Sequence, residues 1–451
     1  MSLDAILPMI ISLAEPALGT LDFGTPLIAT TLTTDQSTAF GSDDTRIITP
    51  ANWQSQMADV GVSSSEDAYR MALALFGQSP KPTQAVWGNR ATAVAQVSTI
   101  SIPATPSAVN YTVVINGVTI GPVAGSGLTQ TQLRDALDTA IDASTEASRV
   151  TATVGSGTVV VTSDEAGVPF SISVTGTGMS VALTTPSVGL VEDVATFLLE
   201  NSFYMVLEAS RSIEALYQLA LVIETYNGEG GVRPLMLLGQ TLDPLAQSTS
   251  SPTDLMSRLS ALNLVRTAMV WNDDSDEMVD AALAGRVLPT KPGSNTWANQ
   301  VLAGVSGFVP TNDTRLRAKR YTWLESFTAA GFSMTQGART ARNYPIDLVL
   351  GRDWLRNFLQ IKLAMLVRDN PKVPYTRDGA NDCADTLRQG LVEASRAPYN
   401  FLDEDTIAIT VPSVSSQSST DRSNRNFPGV NWSARAQGAI ESLPIEGIIT
   451  P

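Results

Sequence analysis

The chain has 451 residues, of which 43% are hydrophobic and 16% charged, and it carries a formal net charge of −15. This composition is typical of a globular chain of several domains and excludes a mostly disordered one. Binding to a nucleic-acid backbone needs clustered Lys and Arg, which this acidic chain lacks, so no nucleic-acid partner is expected. No apolar stretch is long enough to cross a bilayer, so membrane insertion is not expected either.

Residues that carry common catalytic and metal chemistry are scarce. The chain has no His and a single Cys, Cys383, which excludes Ser-His-Asp and Cys-His catalysis, Cys-rich zinc sites and an intrachain disulfide. Phosphate-loop, dinucleotide-binding, zinc-protease and nucleophile-elbow motifs are missing as well. The sequence therefore predicts no enzyme, no cofactor and no metal site, and the lack of disulfides agrees with assembly in a reducing cytoplasm.

The N-terminal segment contains a short apolar run. Because the first basic residue is Arg46, the run lacks the charged start of a signal peptide. Taken alone, it favours an edge strand or short helix packed on its own domain, and the alternative is an arm that pairs with a neighbouring copy. The residues that would form this arm include Ile6, Leu7, Ile10 and Leu13.

The first part of the chain predicts a core segment followed by a small β-rich insert. Residues 63–76 predict an amphipathic helix with a capping box of Ser63 and Glu66, and residues 85–88 predict a strand. From residue 92 onward Thr, Val, Ser and Gly dominate. The insert, at residues 92–188, is predicted to hold a hairpin turning at Asn116-Gly117, a helix at 129–143, and strands at 149–154, 158–162, 170–174 and 179–183.

Helix and strand patterns alternate after the insert, which predicts a mainly parallel sheet with helices packed on it. The predicted helices are 191–201, 212–226, 253–262 and 274–284, and the predicted strands are 204–209, 234–238 and 268–271. Further along we predict a strand at 316–322, a long buried helix at 352–368, a helix at 381–394 that packs Cys383 inward, and a strand at 407–411.

The C-terminal end reads as a pair of strands after a polar loop at 413–426. The first strand alternates apolar and small residues with polar ones, and a second β-like piece follows Pro444. Two strands alone are marginal in water, so the pair needs a further sheet, which we interpret as lying in another copy. The residues of this predicted arm are Trp432, Ala434, Ala436, Gly438, Ile440, Ile445, Gly447 and Ile448. Gly438 and Gly447 would make room for a neighbouring backbone, and the loop would give slack.

Two acidic clusters have functional alternatives. Asp273, Asp274, Asp276 and Glu277 offer oxygen ligands for a divalent cation, but they also stand where a helix is predicted to begin, and we favour helix capping. Residues 403–405 offer a carboxylate pair for acid–base chemistry. No neighbouring group in the sequence would separate their pKa values, so we favour a solvated turn before the strand at 407.

Several segments resemble the tail sheath proteins of contractile-tailed bacteriophages, in one of their sequence-divergent branches. The resemblance covers residues 1–90 and 191–451, and it depends on the order and spacing of the segments. These segments are the helix, proline turn and strand at 69–88, the lead into the long helix at 344–355, the turn at 373–379, and the closing strand pair at 436–447.

The resemblance implies a mixed α+β sheath core with terminal β-strand arms and an inserted β-rich domain containing one helix. It implies an N-terminal arm at 1–20, a core at 21–91 and 189–400, the insert at 92–188 as an outer decoration, and a C-terminal strand, loop and hairpin arm at 401–451. Sheath subunits of the family stack as sixfold rings around a tail tube and contract to drive it through the host envelope. The implied partners are other copies of the chain, the tube protein, and the baseplate and tail terminator proteins, in a virion assembled in the bacterial cytoplasm.

Two alternatives remain open. One is another virion component, such as a tube, baseplate or capsid protein, although tube subunits are usually smaller and richer in β structure. The other is a glycan-active enzyme that uses carboxylates such as those near Asp273 or Asp403.

Overall fold

The computed structural model describes residues 22–41, 44–90, 93–209, 211–226, 234–248 and 252–441. The predicted N-terminal arm residues Ile6, Leu7, Ile10 and Leu13 lie outside these ranges. Ile445, Gly447 and Ile448 of the predicted C-terminal arm do so as well.

Strands occur throughout the described ranges. They are β1 (Pro26–Thr31), β2 (Thr45–Ile48), β3 (Ala85–Arg90), β4 (Val97–Ser101), β5 (Asn110–Ile115), β6 (Val118–Ala124), β7 (Val150–Val154), β8 (Thr158–Ser163), β9 (Ile172–Thr175), β10 (Ser180–Thr185), β11 (Met205–Glu208), β12 (Met236–Thr241), β13 (Thr267–Trp271), β14 (Trp323–Phe327), β15 (Phe332–Gln336), β16 (Leu402–Thr410) and β17 (Asn431–Ala436).

The helices alternate with these strands outside the insert. They are α1 (Thr34–Phe40), α2 (Trp53–Val60), α3 (Asp67–Phe76), α4 (Gln130–Asp142), α5 (Leu190–Glu200), α6 (Ile213–Tyr226), α7 (Leu255–Ala261), α8 (Val279–Val287), α9 (Asp313–Ala318), α10 (Ile346–Asp369), α11 (Arg377–Ser395) and α12 (Ser419–Ser423).

A six-stranded sheet forms the centre of the fold, with the strand order β13-β12-β11-β1-β3-β2. Five of its strands run parallel, and β2 is antiparallel at one edge. Its five parallel strands are buried on both faces along most of their length, as expected when helices cover a parallel sheet on each side. Ile28 points into the cluster that holds α2, α3, α8, α10 and α11, whereas Leu27 points into the cluster that holds α5, α6 and α7. The predicted mainly parallel sheet is confirmed.

One edge of the six-stranded sheet is covered by main-chain contacts with other parts of the chain, and the other edge carries one exposed side-chain hydrogen bond. At the β2 edge, the side-chain amide of Gln56 donates to the Ile47 carbonyl at 3.1 Å. At the β13 edge, the Trp271 amide donates to Thr322 at 2.8 Å and the Ala341 amide donates to Thr267 at 2.8 Å. Because exposed strand edges invite further strands, the main-chain contacts on β13 block strand addition at that edge.

Residues 97–185 fold around a hydrophobic cluster of their own. Their strands make a four-stranded sheet, β10-β4-β8-β7, and a three-stranded sheet, β6-β5-β9, and α4 packs on both. The predicted hairpin turn is confirmed, since Asn116 and Gly117 both have positive φ, at 50° and 82°. A bridge between Val94 and Val188 joins the two chain segments that enter and leave this unit. The predicted domain boundaries stay predictions.

Some predicted elements differ from the structure. The helix predicted from residue 274 begins at Val279, because the carboxylate of Asp274 accepts a hydrogen bond in a local turn and the Gln240 side chain caps the helix instead. Of the strand predicted at 316–322, residues 316–318 lie in helix α9, which is capped by Asn312, and Thr322 forms a β-bridge with Val270. The helix predicted from Ser63 begins four residues later, because Glu66 caps the Ser63 amide within the preceding turn.

Candidate inter-subunit sheet at the C-terminal end

The first strand of the predicted C-terminal arm pairs within its own chain. Strand β17 runs antiparallel to β16, with Trp432 opposite Ile409 and Ala436 opposite Leu402. The predicted strand at Trp432, Ala434 and Ala436 is thus confirmed as a strand, and its partner is now defined. Gly438 and Ile440 lie beyond its end.

The β16–β17 sheet has only two strands within the described part of the chain. Helix α11 packs on one of its faces, with Ala434 and Ala436 half-buried against the main core. Isolated two-stranded sheets are marginal in water, and a strand edge presents unpaired backbone donors and acceptors. Among the described residues, no third strand pairs with β16 or β17.

The uncovered apolar side chains near β17 are those that the alternation pattern identified. Trp432 is 41% exposed and Ile440 is 80% exposed. A Cβ atom built on Gly438 would meet no described atom within 4 Å. The predicted crowding at Gly438 therefore stays a prediction about a neighbouring chain.

The polar connection between β16 and β17 is folded, which corrects the predicted slack loop. It contains α12, with Ser418 as the capping residue. The Tyr375 hydroxyl donates to the Asn426 carbonyl at 2.9 Å, and its ring lies 5.4 Å from that of Phe427. These contacts tie the connection to the turn before α11.

Aromatic and ionic contacts hold the β16–β17 sheet on the core. The ring of Trp354 in α10 stacks on Tyr399 at 4.3 Å, just before β16. Phe401 fills the space beside Gly351, where a Cβ atom would lie 2.3 Å from its ring. Asp353 next to them binds Arg266, which immediately precedes the edge strand β13 of the central sheet. The segment 351–355, which carried part of the family resemblance, therefore positions the sheet.

The acidic clusters have structural partners. Contrary to the predicted turn, Asp403, Glu404 and Asp405 belong to β16, and Glu404 pairs with Arg396 at 2.6 Å, which lowers the pKa of Glu404. In the other cluster, Asp276 pairs with Arg70 at 2.5 Å. Within the described ranges, no group of three or more His, Cys, Asp or Glu residues could hold a metal ion.

Cys383 lacks the features of a reactive thiol, and the described helices lack those of a membrane span. Cys383 is half-buried, and burial followed by the charge of Asp382 raises its pKa, opposite to the lowered pKa of a reactive cysteine. In the parts of the chain that the structure describes, no helix is long and apolar enough to span a membrane.

A cavity of about 320 Å³ lies between the insert and α6. Two of its charged lining side chains bind residues outside the lining: Glu165 accepts from the Ser212 hydroxyl at 2.6 Å, and Arg149 donates to Glu146 at 2.7 Å. Arg149 also approaches Glu214 of α6 at 3.1 Å. These contacts connect the insert to the core, and we interpret the cavity as part of this joint and not as a ligand site.

Comparison with solved structures shows that this fold is similar to that of a chain in a contractile sheath complex. The chain aligns with the PVC sheath complex of an extracellular contractile injection system, in its contracted state, with a TM-score of 0.50 and 11% identity. The alignment covers 97% of this chain and 93% of the sheath chain. Similarity also extends to a chain of the anti-feeding prophage baseplate, with a TM-score of 0.42, 11% identity, and coverage of 58% and 72%. No protein-family model and no curated protein matches the sequence.

Proposed function

We propose that this protein is the structural subunit of a contractile tail sheath. The observation that carries the proposal is the sheath fold, which extends over nearly the whole chain. The open two-stranded sheet near the C-terminus supports it, because a polymer of identical subunits needs a surface that accepts part of another copy.

The connection between copies is proposed to be strand addition. Residues 445–450 of one copy and the apolar run near Ile6–Leu13 of another would extend β16 and β17 at their free edges. Main-chain hydrogen bonds would supply the strength, and alternating side chains would set the register. Such a contact joins unlike surfaces, so it continues as a helical assembly instead of closing as a dimer.

The resulting assembly is proposed to be a stack of sixfold rings around a tail tube, in a phage virion or a related injection system. Contraction would move subunits as nearly rigid bodies while the strand connections persist. The work would come from a metastable extended state, so the protein would act without catalysis or a cofactor. Its partners would be the tube, the baseplate and the tail terminator.

Assembly by the purified protein tests the proposal. We expect long hollow cylinders in negative-stain micrographs of the wild-type chain, formed more readily at moderate salt because screening weakens repulsion between copies of charge −15. Truncation after Glu441 is the matched variant. It keeps β17 and should leave a folded monomer without cylinders, whereas removal from Trp432 onward would also strip β17 from its own core.

Two results would count against this assignment. Wild-type protein that stays monomeric at all salt concentrations would argue against a sheath subunit. Cylinders of normal length from the truncated chain would argue against strand addition by the C-terminal segment.

A further inference from the structure

The chain is held to its body again after β17 has ended. The Gln437 amide donates to the Phe401 carbonyl at 2.8 Å, and then residues 438–440 lie exposed. At Glu441 the chain meets the body once more. A segment without a role would be expected to fray after its last strand, so this renewed attachment needs an explanation.

Three separate elements converge on Glu441. The guanidinium of Arg339 donates to its carboxylate, with Nη2 and Oε2 2.8 Å apart, and the side-chain amide of Asn299 donates to its carbonyl at 3.2 Å. Asp347, in the first turn of α10, lies near the Glu441 carboxylate. Burial raises the pKa of Asp347, and the negative charge of Glu441 raises it further.

The two residues that grip Glu441 are themselves fixed. The backbone amide of Asn299 donates to the Thr335 carbonyl at 2.7 Å, and the Asn299 backbone adopts a positive φ of 60°. Arg339 forms a bridge with Pro345 just before α10. The side chains of Arg339 and Glu441 are 31% and 27% exposed, so water screens their attraction only in part.

We propose that Arg339 and Asn299 form a clamp on Glu441 that fixes the point from which residues 442–451 continue. The inference rests on the proposed function, because it gives that segment a second copy as its partner. A clamped starting point restricts the positions that the segment can explore, which raises its effective concentration at a neighbouring sheet and lowers the entropy lost on pairing. Arg339 is thus a positioning residue that acts through Glu441.

A glutamate-specific protease tests the clamp on the free monomer. It can cut after Glu441, inside the clamp, and after Glu446, beyond it, so the second site is an internal reference. We expect Arg339→Ala to increase cleavage after Glu441 relative to Glu446 about two- to fivefold, the range for a partly exposed ion pair. Arg339→Lys, which keeps the charge, should restore most of the protection. Arg342→Ala removes an exposed arginine three residues away and should leave the ratio unchanged.

The same variants separate the clamp from the proposed function. If wild type forms cylinders, Arg339→Ala should raise the protein concentration at which they appear, with an unchanged unfolding midpoint. An unaltered cleavage ratio in Arg339→Ala, or an equal change in Arg342→Ala, overturns the clamp whether or not cylinders form. Wild-type protein without cylinders contradicts the proposed function, and the cleavage ratio still decides on the clamp.

Discussion

Arg266 and Asp353 form a buried, two-pronged ion pair between the central sheet and the long helix α10. Nη1 lies 2.5 Å from Oδ2 and Nη2 lies 3.0 Å from Oδ1, and the Tyr204 hydroxyl donates to the same carboxylate at 3.0 Å. The two side chains are 10% and 4% exposed. Because α10 carries the aromatic residues that seat β16, this pair connects the core to the candidate inter-subunit sheet.

Loss of one partner of this pair should strongly destabilise the protein. We expect Asp353→Ala to lower the free energy of unfolding by about 3–5 kcal/mol, since it leaves a buried guanidinium without its counter-ion. Replacing both residues, as in Arg266→Met with Asp353→Leu, should recover much of that loss. Urea denaturation measures both. Arg368→Ala, at an exposed ion pair on the same helix, is the control and should change nothing measurable. A loss below about 1 kcal/mol in Asp353→Ala would contradict this account.

The joint between insert and core should weaken in acid. Burial opposes ionisation of Glu214, but the hydrogen bonds and charges of Arg258 and Arg149 outweigh it and lower its pKa below the model-peptide value of 4.5. A carboxyl group with a lowered pKa in the folded state contributes stability that is present above 4.5 and is lost as the pH falls below it.

Glu214→Gln isolates this contribution. We expect the variant to be less stable than wild type by about 1–3 kcal/mol at pH 7, the range for hydrogen bonds to charged groups. The difference should shrink towards zero as the pH falls below 4.5. Thermal unfolding of both proteins between about pH 3 and pH 7 gives the comparison, and a difference that does not depend on pH would refute it.

Helices α3 and α8 touch through Gly285. A Cβ atom at this position would lie 2.3 Å from the backbone carbonyl of Leu75, which cannot move aside as a side chain can. Although alanine favours helix by about 1 kcal/mol over glycine, we expect Gly285→Ala to destabilise the protein by about 1–2 kcal/mol net. Gly438→Ala, where a Cβ atom meets no described atom within 4 Å, is the control and should stay within about 0.5 kcal/mol. If Gly285→Ala and wild type have equal midpoints in chemical denaturation, α3 and α8 can move apart without loss of stability and the expectation is wrong.

The exposed apolar residues beside β17 should matter more for assembly than for folding. Ile440→Glu places a charge on a side chain that is already 80% exposed, so monomer stability should change by no more than about 0.5 kcal/mol. Trp432 is 41% exposed, so Trp432→Glu also loses the covered part of the ring and should cost more. We expect both to abolish cylinders, because a buried unpaired carboxylate is costly at an interface. Leu262→Glu, at a residue 47% exposed beside α7, is the control. Sedimentation and negative-stain microscopy measure assembly of the variants. Cylinders of normal length from Trp432→Glu and Ile440→Glu would contradict this expectation.

Local chemistry made parts of the fold predictable from sequence. The Asn116-Gly117 pair specifies a hairpin turn through its backbone preferences, and Thr129 with Gln132 forms a capping box that starts α4 where predicted. Strand β1, in contrast, was missed, although it lies between β11 and β3 in the central sheet. It is short and buried on both faces, so it shows no alternation, and its place is set by partners far away in the chain.

The candidate site was predictable to a similar degree. Period-two alternation identified the strand at Trp432, Ala434 and Ala436, but it could not supply β16 as the partner. The clamp was out of reach because Arg339 and Glu441 are 102 positions apart, and a lone arginine in a loop gives no sign of what it binds. The helix start at Val279 was missed because its cap, Gln240, comes from another strand.

The unpaired edges of the β16–β17 sheet and the attachment of the chain at Glu441 would give a tube built by the proposed strand addition a polarity. If each copy offers unpaired strand edges on one side and its C-terminal segment on the other, the first layer exposes unpaired strand edges. The last layer then exposes unpaired C-terminal segments. The two ends of such a tube would present different binding surfaces, so the protein that starts assembly and the protein that ends it would have to be different molecules.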